Sequence, residues 1–335
     1  IISYLIRRNF YPTEYFKDPS FFHFNKSKEQ CVKNKIANLL YLNEKDEMKL
    51  NQLKSKEILK EINDNQIINN NITEKQDFKE DDFIILRTIY STTKTIYYLV
   101  LHRDSFYVFL MKKITQKNER EIDFCKNYSH RCLVKFYGFL KKEDDITGFI
   151  YEYMCNNSLS YIINKKMKND HFFSLTTINR IFQAIEYLHS NSLIHRDINA
   201  TNILFDHDYV AYLSDFETIR PPIEDRSDST QEMYTANIGS YVYASPEQIE
   251  GDFISYPTDI YSFGSIMHLI LENKEIKFQK NGEIPLFKNA SDNLQNLIKN
   301  CVKLEPKERL STTEIKTFII NEINSFHHFE HYLIN

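Results

Sequence analysis

Eight consecutive residues, His195-Arg196-Asp197-Ile198-Asn199-Ala200-Thr201-Asn202, are the most informative stretch of this 335-residue chain. Asp197 offers a carboxylate that can take the proton of a hydroxyl, and Asn202, five residues on, offers an amide oxygen that can reach a metal ion. A second carboxylate follows at Asp215. Between them, Ile203-Leu204-Phe205 and Val210 to Leu213 read as a hairpin turning at Asp206-His207-Asp208. A hairpin sets its two ends side by side, so Asn202 and Asp215 can reach one ion.

Read as HRDINATN, the stretch resembles the catalytic loop of protein kinases, H-R-D-L-x-x-x-N. Five further stretches fall in kinase order around it. Ser214-Asp215-Phe216-Glu217 resembles D-F-G with its glycine replaced. Gly239 to Glu247, closing in Ser245-Pro246-Glu247, looks like the end of an activation segment. Asp259 to Gly264 is similar to the start of the family's buried central helix, and Arg309 matches the arginine that pairs with the glutamate of that Ser-Pro-Glu. Upstream, Glu152-Tyr153-Met154 looks like the hinge, with Tyr151 in the gatekeeper place. The motifs look most like those of tyrosine-kinase-like serine/threonine kinases. The resemblance covers residues 83–325 and implies an α+β, bilobal fold: a small antiparallel β lobe with one helix, and a larger helical lobe.

The resemblance also implies roles. Asp197 becomes the base or orienter for a substrate hydroxyl, and Asn202 and Asp215 hold Mg2+ against the phosphates of ATP. The phosphate-pairing lysine is Lys112, because strand alternation puts Val108, Leu110 and Lys112 on one face and Lys113, the runner-up, on the other. Its helix partner is Glu121, with Glu119 as fallback. The gap from Lys112 to Glu121 is 121 − 112 = 9 residues, shorter than kinases usually have. Glu152 and Met154 join Lys112 among the nucleotide-binding residues.

Several departures bear on activity. The three glycine places of the phosphate lid are Tyr90, Thr92 and Thr95, and none is glycine. Glycine is used there because it lets backbone approach phosphate closely. The small apolar pair above adenine is replaced by Tyr97 and Leu110, and overfilling a packed site costs about 1–3 kcal/mol. A one-residue shift would put Ile96 in the place of Tyr97. Glu217 replaces the D-F-G glycine, at a cost if that position needs a left-handed dihedral. Asn199 stands where serine/threonine kinases keep a lysine, so charge stabilisation of the transferring phosphate should fall. Two readings follow. One is a protein kinase acting on serine or threonine hydroxyls with weakened nucleotide binding. The other is a pseudokinase used as a protein-binding or allosteric module.

The elements that must position these residues are legible in outline. Phe83–Tyr90, Ile96–Leu101, Phe106–Ile114, Leu133–Phe139 and Thr147–Tyr153 read as strands, rich in β-branched and aromatic residues. A short helix is expected over Glu119–Tyr128. A longer one is expected from about Leu175, with Ser174 or Thr176 as its cap, and Ile260–Leu271 reads as a buried helix. The expected organisation is a helical N-terminal extension over 1–62, an Asn-rich linker over 63–80, the kinase-like domain over 81–325 and a tail over 326–335. Helix faces over 28–40 and 44–62 define the extension.

Composition bounds the rest. At 42% hydrophobic residues a sizeable core is available, and a net charge of −4 without basic clustering gives no footprint for nucleic acid. No apolar run reaches the ~18–20 residues that span a bilayer. Five scattered cysteines form no C-x-x-C pair and suit reduced thiols in an intracellular protein. The first residue is Ile, so the true N-terminus is expected to lie upstream. Protein substrates or protein partners are the expected ligands besides ATP and Mg2+. Arg196 could receive a phosphate placed on Ser227, Ser229, Thr230, Tyr234 or Thr235. His327, His328 and His331 lack an ordered partner set and read as a helix end rather than a metal site.

Overall fold

Strand-forming residues dominate two stretches, and both become one sheet. The computed structural model describes residues 75–105, 107–164, 171–222, 242–251, 254–276 and 287–325. The expected extension, most of the linker, the phosphate-acceptor candidates of 227–235 and the tail histidines lie outside the described residues. The chain divides into two units, residues 1–115 with 137–155, and residues 116–136 with 156–335.

In the first unit, β1 (Phe83–Ser91), β2 (Thr95–His102), β3 (Val108–Ile114), β4 (Phe136–Lys142) and β5 (Asp145–Glu152) form a five-stranded sheet in the order β1-β2-β3-β5-β4. Side-chain alternation gives it two faces. One buries Phe78, Phe83, Val100, Phe109, Met111, Leu140 and Ile150 together. The other carries Leu99 and Leu101 with Ile84, Leu86, Val108 and Tyr153 packed against them. Register shifts between Ile85 and Arg87, and between Thr88 and Tyr90, interrupt β1. Such bulges bend a strand and increase its twist.

Two glycines permit close backbone approach. A side chain at Gly138 would collide with the carbonyl of Gln76, and one at Gly148 with the carbonyl of Lys112. The first approach lets the chain before β1 join the sheet. Gln76 N–H donates to Tyr137, Phe78 N–H to Phe139, and Lys141 N–H back to Phe78. Phe78 is only 2% exposed, so the residues just ahead of the expected domain start seal the core.

The second unit is helical. It contains α1 (Glu119–Asn127), α2 (Leu159–Asn164), α3 (His171–Ser190), the hairpin strands β6 (Ile203–Phe205) and β7 (Ala211–Leu213), α4 (Pro246–Glu250), α5 (Tyr256–Glu272), α6 (Asp292–Cys301) and α7 (Thr312–Ser325). Every residue of α5 from Thr258 to Leu271 is buried, as expected of a helix apolar on all sides. The expected cap of α3 needs correction: Ser174 and Thr176 lie inside the helix. The Thr176 hydroxyl donates back to the Phe172 and Phe173 carbonyls, a local bond that costs no helix turn. Leu133, expected to open a strand, instead bridges Leu213 of β7, and β4 begins at Phe136. Arg309 and Glu247 form the expected pair, with Nη1–Oε1 at 2.6 Å and Nη2–Oε2 at 2.8 Å. Burial alone would push the Glu247 carboxyl up, but the Arg309 guanidinium outweighs it and holds it below the usual range. Cys125, Cys132, Cys155 and Cys301 are buried thiols. Among the described residues no helix is long and apolar enough to cross a membrane.

Candidate active site

The loop at 195–202 is fixed from below. Asp259, in the first turn of α5, accepts from the Arg196 N–H at 2.9 Å with Oδ1 and from the His195 N–H at 2.8 Å with Oδ2. The same Oδ2 lies 2.9 Å from His189 Nε2 of α3. Complete burial raises the Asp259 pKa. The His189 hydrogen bond and charge, with the His195 N–H, more than reverse that, and the group stays ionised. These bonds hold Arg196 in the left-handed region, φ 72°, which costs a non-glycine residue about 1–2 kcal/mol. Gln248 Nε2 of α4 adds a 2.8 Å bond to the Arg196 carbonyl. Arg196 itself is buried.

Above this anchor the Asp197 carboxylate is oriented by two amides. Asn199 Nδ2 donates to Oδ1 at 2.8 Å, and Asn202 Nδ2 donates to Oδ2 at 3.0 Å. Asn199 is buried, and its own Oδ1 accepts from the N–H groups of Thr201 and Asn202. So the residue in the lysine place points into the loop and steadies the carboxylate. Asn202 gives both Nδ2 hydrogens to Asp197, one to its carboxylate and one to its carbonyl at 2.9 Å. That orientation leaves Oδ1 as its ligand atom.

The hairpin of β6 and β7 pairs Ile203 with Leu213 and Phe205 with Ala211, around a turn in which Asp206 Oδ1 accepts from Asp208 and Val210. Its ends are tied more tightly than strand pairing requires. The Asn202 carbonyl accepts both the N–H and the hydroxyl of Ser214, each at 2.8 Å. The residue next to Asp215 is thereby fastened to Asn202. Asp215 is exposed and adopts φ 64°. The left-handed residue of this motif is therefore Asp215, and Glu217 keeps an ordinary dihedral, which removes the strain expected for losing a glycine there.

Glu121 projects from α1 and is buried, whereas Glu119 is exposed. In the first unit, β2, β3 and β5 set Tyr97, Lys112 and Phe149 opposite one another in one row, and Leu99, Leu110 and Tyr151 in the next. Lys112 is 2% exposed, with Nζ 6.0 Å from the Tyr97 ring centroid and 5.5 Å from that of Phe149. Lys113 lies on the other face and bonds Glu80 at 2.9 Å. Ile96 pairs with Lys113, so the shifted alternative to Tyr97 does not hold. Tyr90 pairs with Tyr97, ring centroids 6.4 Å apart. Of the two hinge residues, Met154 is buried and Glu152, opposite Phe109, is half-buried.

The β1–β2 tip closes on itself. The Thr92 N–H donates to the Thr95 carbonyl at 2.8 Å. The Thr92 hydroxyl oxygen accepts from the N–H groups of Lys94 at 3.2 Å and Thr95 at 2.9 Å. It also lies 3.0 Å from the Thr95 hydroxyl.

Asn202 Oδ1 and the exposed Asp215 carboxylate suit a hard divalent ion that keeps waters and takes further oxygens from phosphate. Among the described residues no cluster of three His, Cys, Asp or Glu forms an all-protein cage. The nucleotide face fits less well: Tyr97, Leu110 and Tyr151 are all large, and the hairpin tip has used three of its N–H donors.

A five-stranded sheet unit, a helical unit built on a buried helix, and an Asp–Asn loop fastened to a second Asp define the protein kinase fold. The protein kinase domain family matches residues 95–318, and the chain belongs to that family. It is 32% identical over 179 residues to a G-type lectin S-receptor-like serine/threonine-protein kinase of Arabidopsis thaliana, covering 49% of this chain and 20% of that protein. It is 26% identical over 242 residues to Aurora kinase of Saccharomyces cerevisiae, covering 65% and 63%. It is 28% identical over 213 residues to the carbon catabolite-derepressing protein kinase of Candida glabrata, covering 59% and 33%. The chain thus spans less than two thirds of the length of each of these relatives. Kinase domains use ATP with a divalent metal.

Reading the sequence did not find Asn118, which caps α1, or Ser214, which fastens Asp215 to Asn202. The pattern Asn118-Glu119-Arg120-Glu121 carried a capping signal for the first. No local signal marks the second.

Proposed function

We propose that this chain is an active protein kinase that transfers the γ-phosphoryl group of Mg-ATP to serine or threonine hydroxyls of proteins and holds its nucleotide weakly. The observation that carries the reading is the double orientation of Asp197 by Asn199 and Asn202. A carboxylate held at both oxygens by amide donors retains lone pairs for a substrate hydroxyl and loses little freedom when it acts. Asn202 and Asp215 supply the Mg2+ ligands, and Lys112 and Glu121 complete the charged set. The named serine/threonine kinases among the relatives support the hydroxyl class. Weak nucleotide binding is supported by Tyr97, Leu110 and the self-bonded Thr92 tip.

The same tip favours a second reading, a non-catalytic binding module. The deciding test compares wild type with Asp197→Asn. Thermal stabilisation by Mg-ATP and phosphate transfer to a generic protein substrate are measured on both. The active reading expects stabilisation of both proteins and transfer by wild type alone. Transfer no higher than that of the variant would overturn it.

A further inference from the structure

We propose that Asn118 is a positioning residue that fastens the start of α1 to the segment carrying Asp215, and so sets Glu121 relative to the metal-binding carboxylate. The inference rests on the kinase reading for the roles of Glu121 and Asp215, but not for the link itself.

Helix α1 is a difficult element to hold. It has nine residues, below the ~12–15 at which an isolated helix is even marginal in water. Its first N–H groups need partners. Only nine positions separate Lys112 from Glu121, so there is no earlier turn of helix to brace it. Asn118 answers both needs with one amide. Its Oδ1 accepts from the N–H of Arg120 at 3.1 Å and of Glu121 at 3.4 Å. Its Nδ2 donates to the Glu217 carbonyl at 3.0 Å, across 99 positions of sequence. The capping half therefore acts on the very residue whose carboxylate must be placed, and the bridging half acts two residues after Asp215.

Neighbouring contacts make this link informative rather than incidental. One turn into α1, the Phe124 ring meets the Phe216 ring at 4.8 Å between centroids. Beyond Glu217, the Thr218 hydroxyl donates to the His195 carbonyl at 2.7 Å, and Arg220 and Ile194 exchange backbone bonds of 2.9 and 3.2 Å. The segment from Phe216 to Arg220 is thus held to the catalytic loop on one side and to α1 on the other. On the α1 side, Asn118 supplies a polar part of that hold. Swinging α1 away, or turning over the Asp215–Glu217 backbone, breaks the Asn118 bridge and loosens the cap with it. The Asn118 side chain thus couples helix order to metal-site geometry.

Two substitutions separate the halves. Asp and Ser are both strong N-caps, so Asn118→Asp and Asn118→Ser keep an acceptor for α1. Asp has no donor for the Glu217 carbonyl, and Ser is too short to reach it. In the full chain, hydrogen exchange is followed in peptides covering 119–127 and 214–220. Steady-state kcat and KM for ATP are measured with Mg2+. Both variants are expected to raise exchange over 214–220 by about tenfold, the worth of one hydrogen bond. Exchange in 119–127 stays within about threefold, and kcat falls about tenfold with KM within about twofold. Unchanged exchange over 214–220 in both variants would overturn the proposal whatever happens to activity, and so would an equal rise over 119–127, which would leave only a helix cap. If wild type transfers no phosphate beyond Asp197→Asn, the kinase reading fails, while the exchange result still decides the link.

Discussion

The β1–β2 hairpin tip and the 195–202 loop are both short polar turns, yet they direct their hydrogen-bonding groups in opposite ways. At the tip, the Thr92 hydroxyl takes up the N–H groups of Lys94 and Thr95. In the loop, Asn199 and Asn202 turn their N–H groups inward onto Asp197, so that its carboxylate and the Asn202 amide oxygen are left for a ligand. The first turn satisfies itself and the second is preorganised for something else. On the proposed reading, phosphate transfer and nucleotide affinity are therefore separable properties, the first resting on the loop and the second on the hairpin tip and its sheet.

That separation can be broken at either side. The largest expected effect is on chemistry: Asp197→Asn lowers kcat about a hundred- to ten-thousand-fold in a phosphate-transfer assay, while the Mg-ATP thermal shift persists. Next comes the scaffold of the helical unit. Arg309→Met leaves Glu247 buried without its guanidinium and is expected to cost about 3–5 kcal/mol in urea unfolding. On the sheet side, Thr92→Gly combined with Tyr97→Val reopens the tip and the slot. KM for ATP is expected to fall about five- to a hundredfold with kcat unchanged, from ~1–3 kcal/mol of relieved overpacking. A fall in kcat instead would join the two properties again. Asn199→Ala removes one of the two amides on Asp197 and is expected to lower kcat about tenfold at constant KM.

The smallest effect is on pH dependence. Folded Glu247 and Asp259 both titrate below their ordinary values. Each therefore contributes stability above the unfolded pKa, about 4.3 for Glu and 3.9 for Asp, that is lost as pH falls towards the folded value. The urea midpoint should drop steadily below about pH 4.3, and Glu247→Gln should flatten that slope.

The helical unit was the more legible from sequence because its residues act in ordered motifs: the loop, the hairpin, Glu247 with Arg309, and the buried run of α5 all stand where patterns placed them. Alternation along β3 also separated Lys112 from Lys113, because a strand has only two faces. Other features escaped for physical reasons. The left-handed residue is Asp215 rather than Glu217, and a missing glycine says only that some local dihedral matters, not whose. Thr92 captures its own turn through a hydroxyl that serves equally as donor or acceptor, so its type does not reveal its partner. Asn118 and Ser214 act through contacts 99 and 12 positions away in sequence, and neither separation leaves a periodic trace. The bulges of β1 follow from sheet twist and not from a residue signature.

The buried Asp259 anchor has a consequence for descent. A lineage released from phosphate transfer could let Asp197 and Asp215 drift, since an exposed or half-buried polar group is replaceable at small cost to folding. Asp259, Glu247 and Arg309 would have no such freedom, because losing any one strands a partner in the interior. Relatives that keep only this trio would mark inherited architecture, whereas joint retention of Asp197, Asn202 and Asp215 would mark selection for turnover.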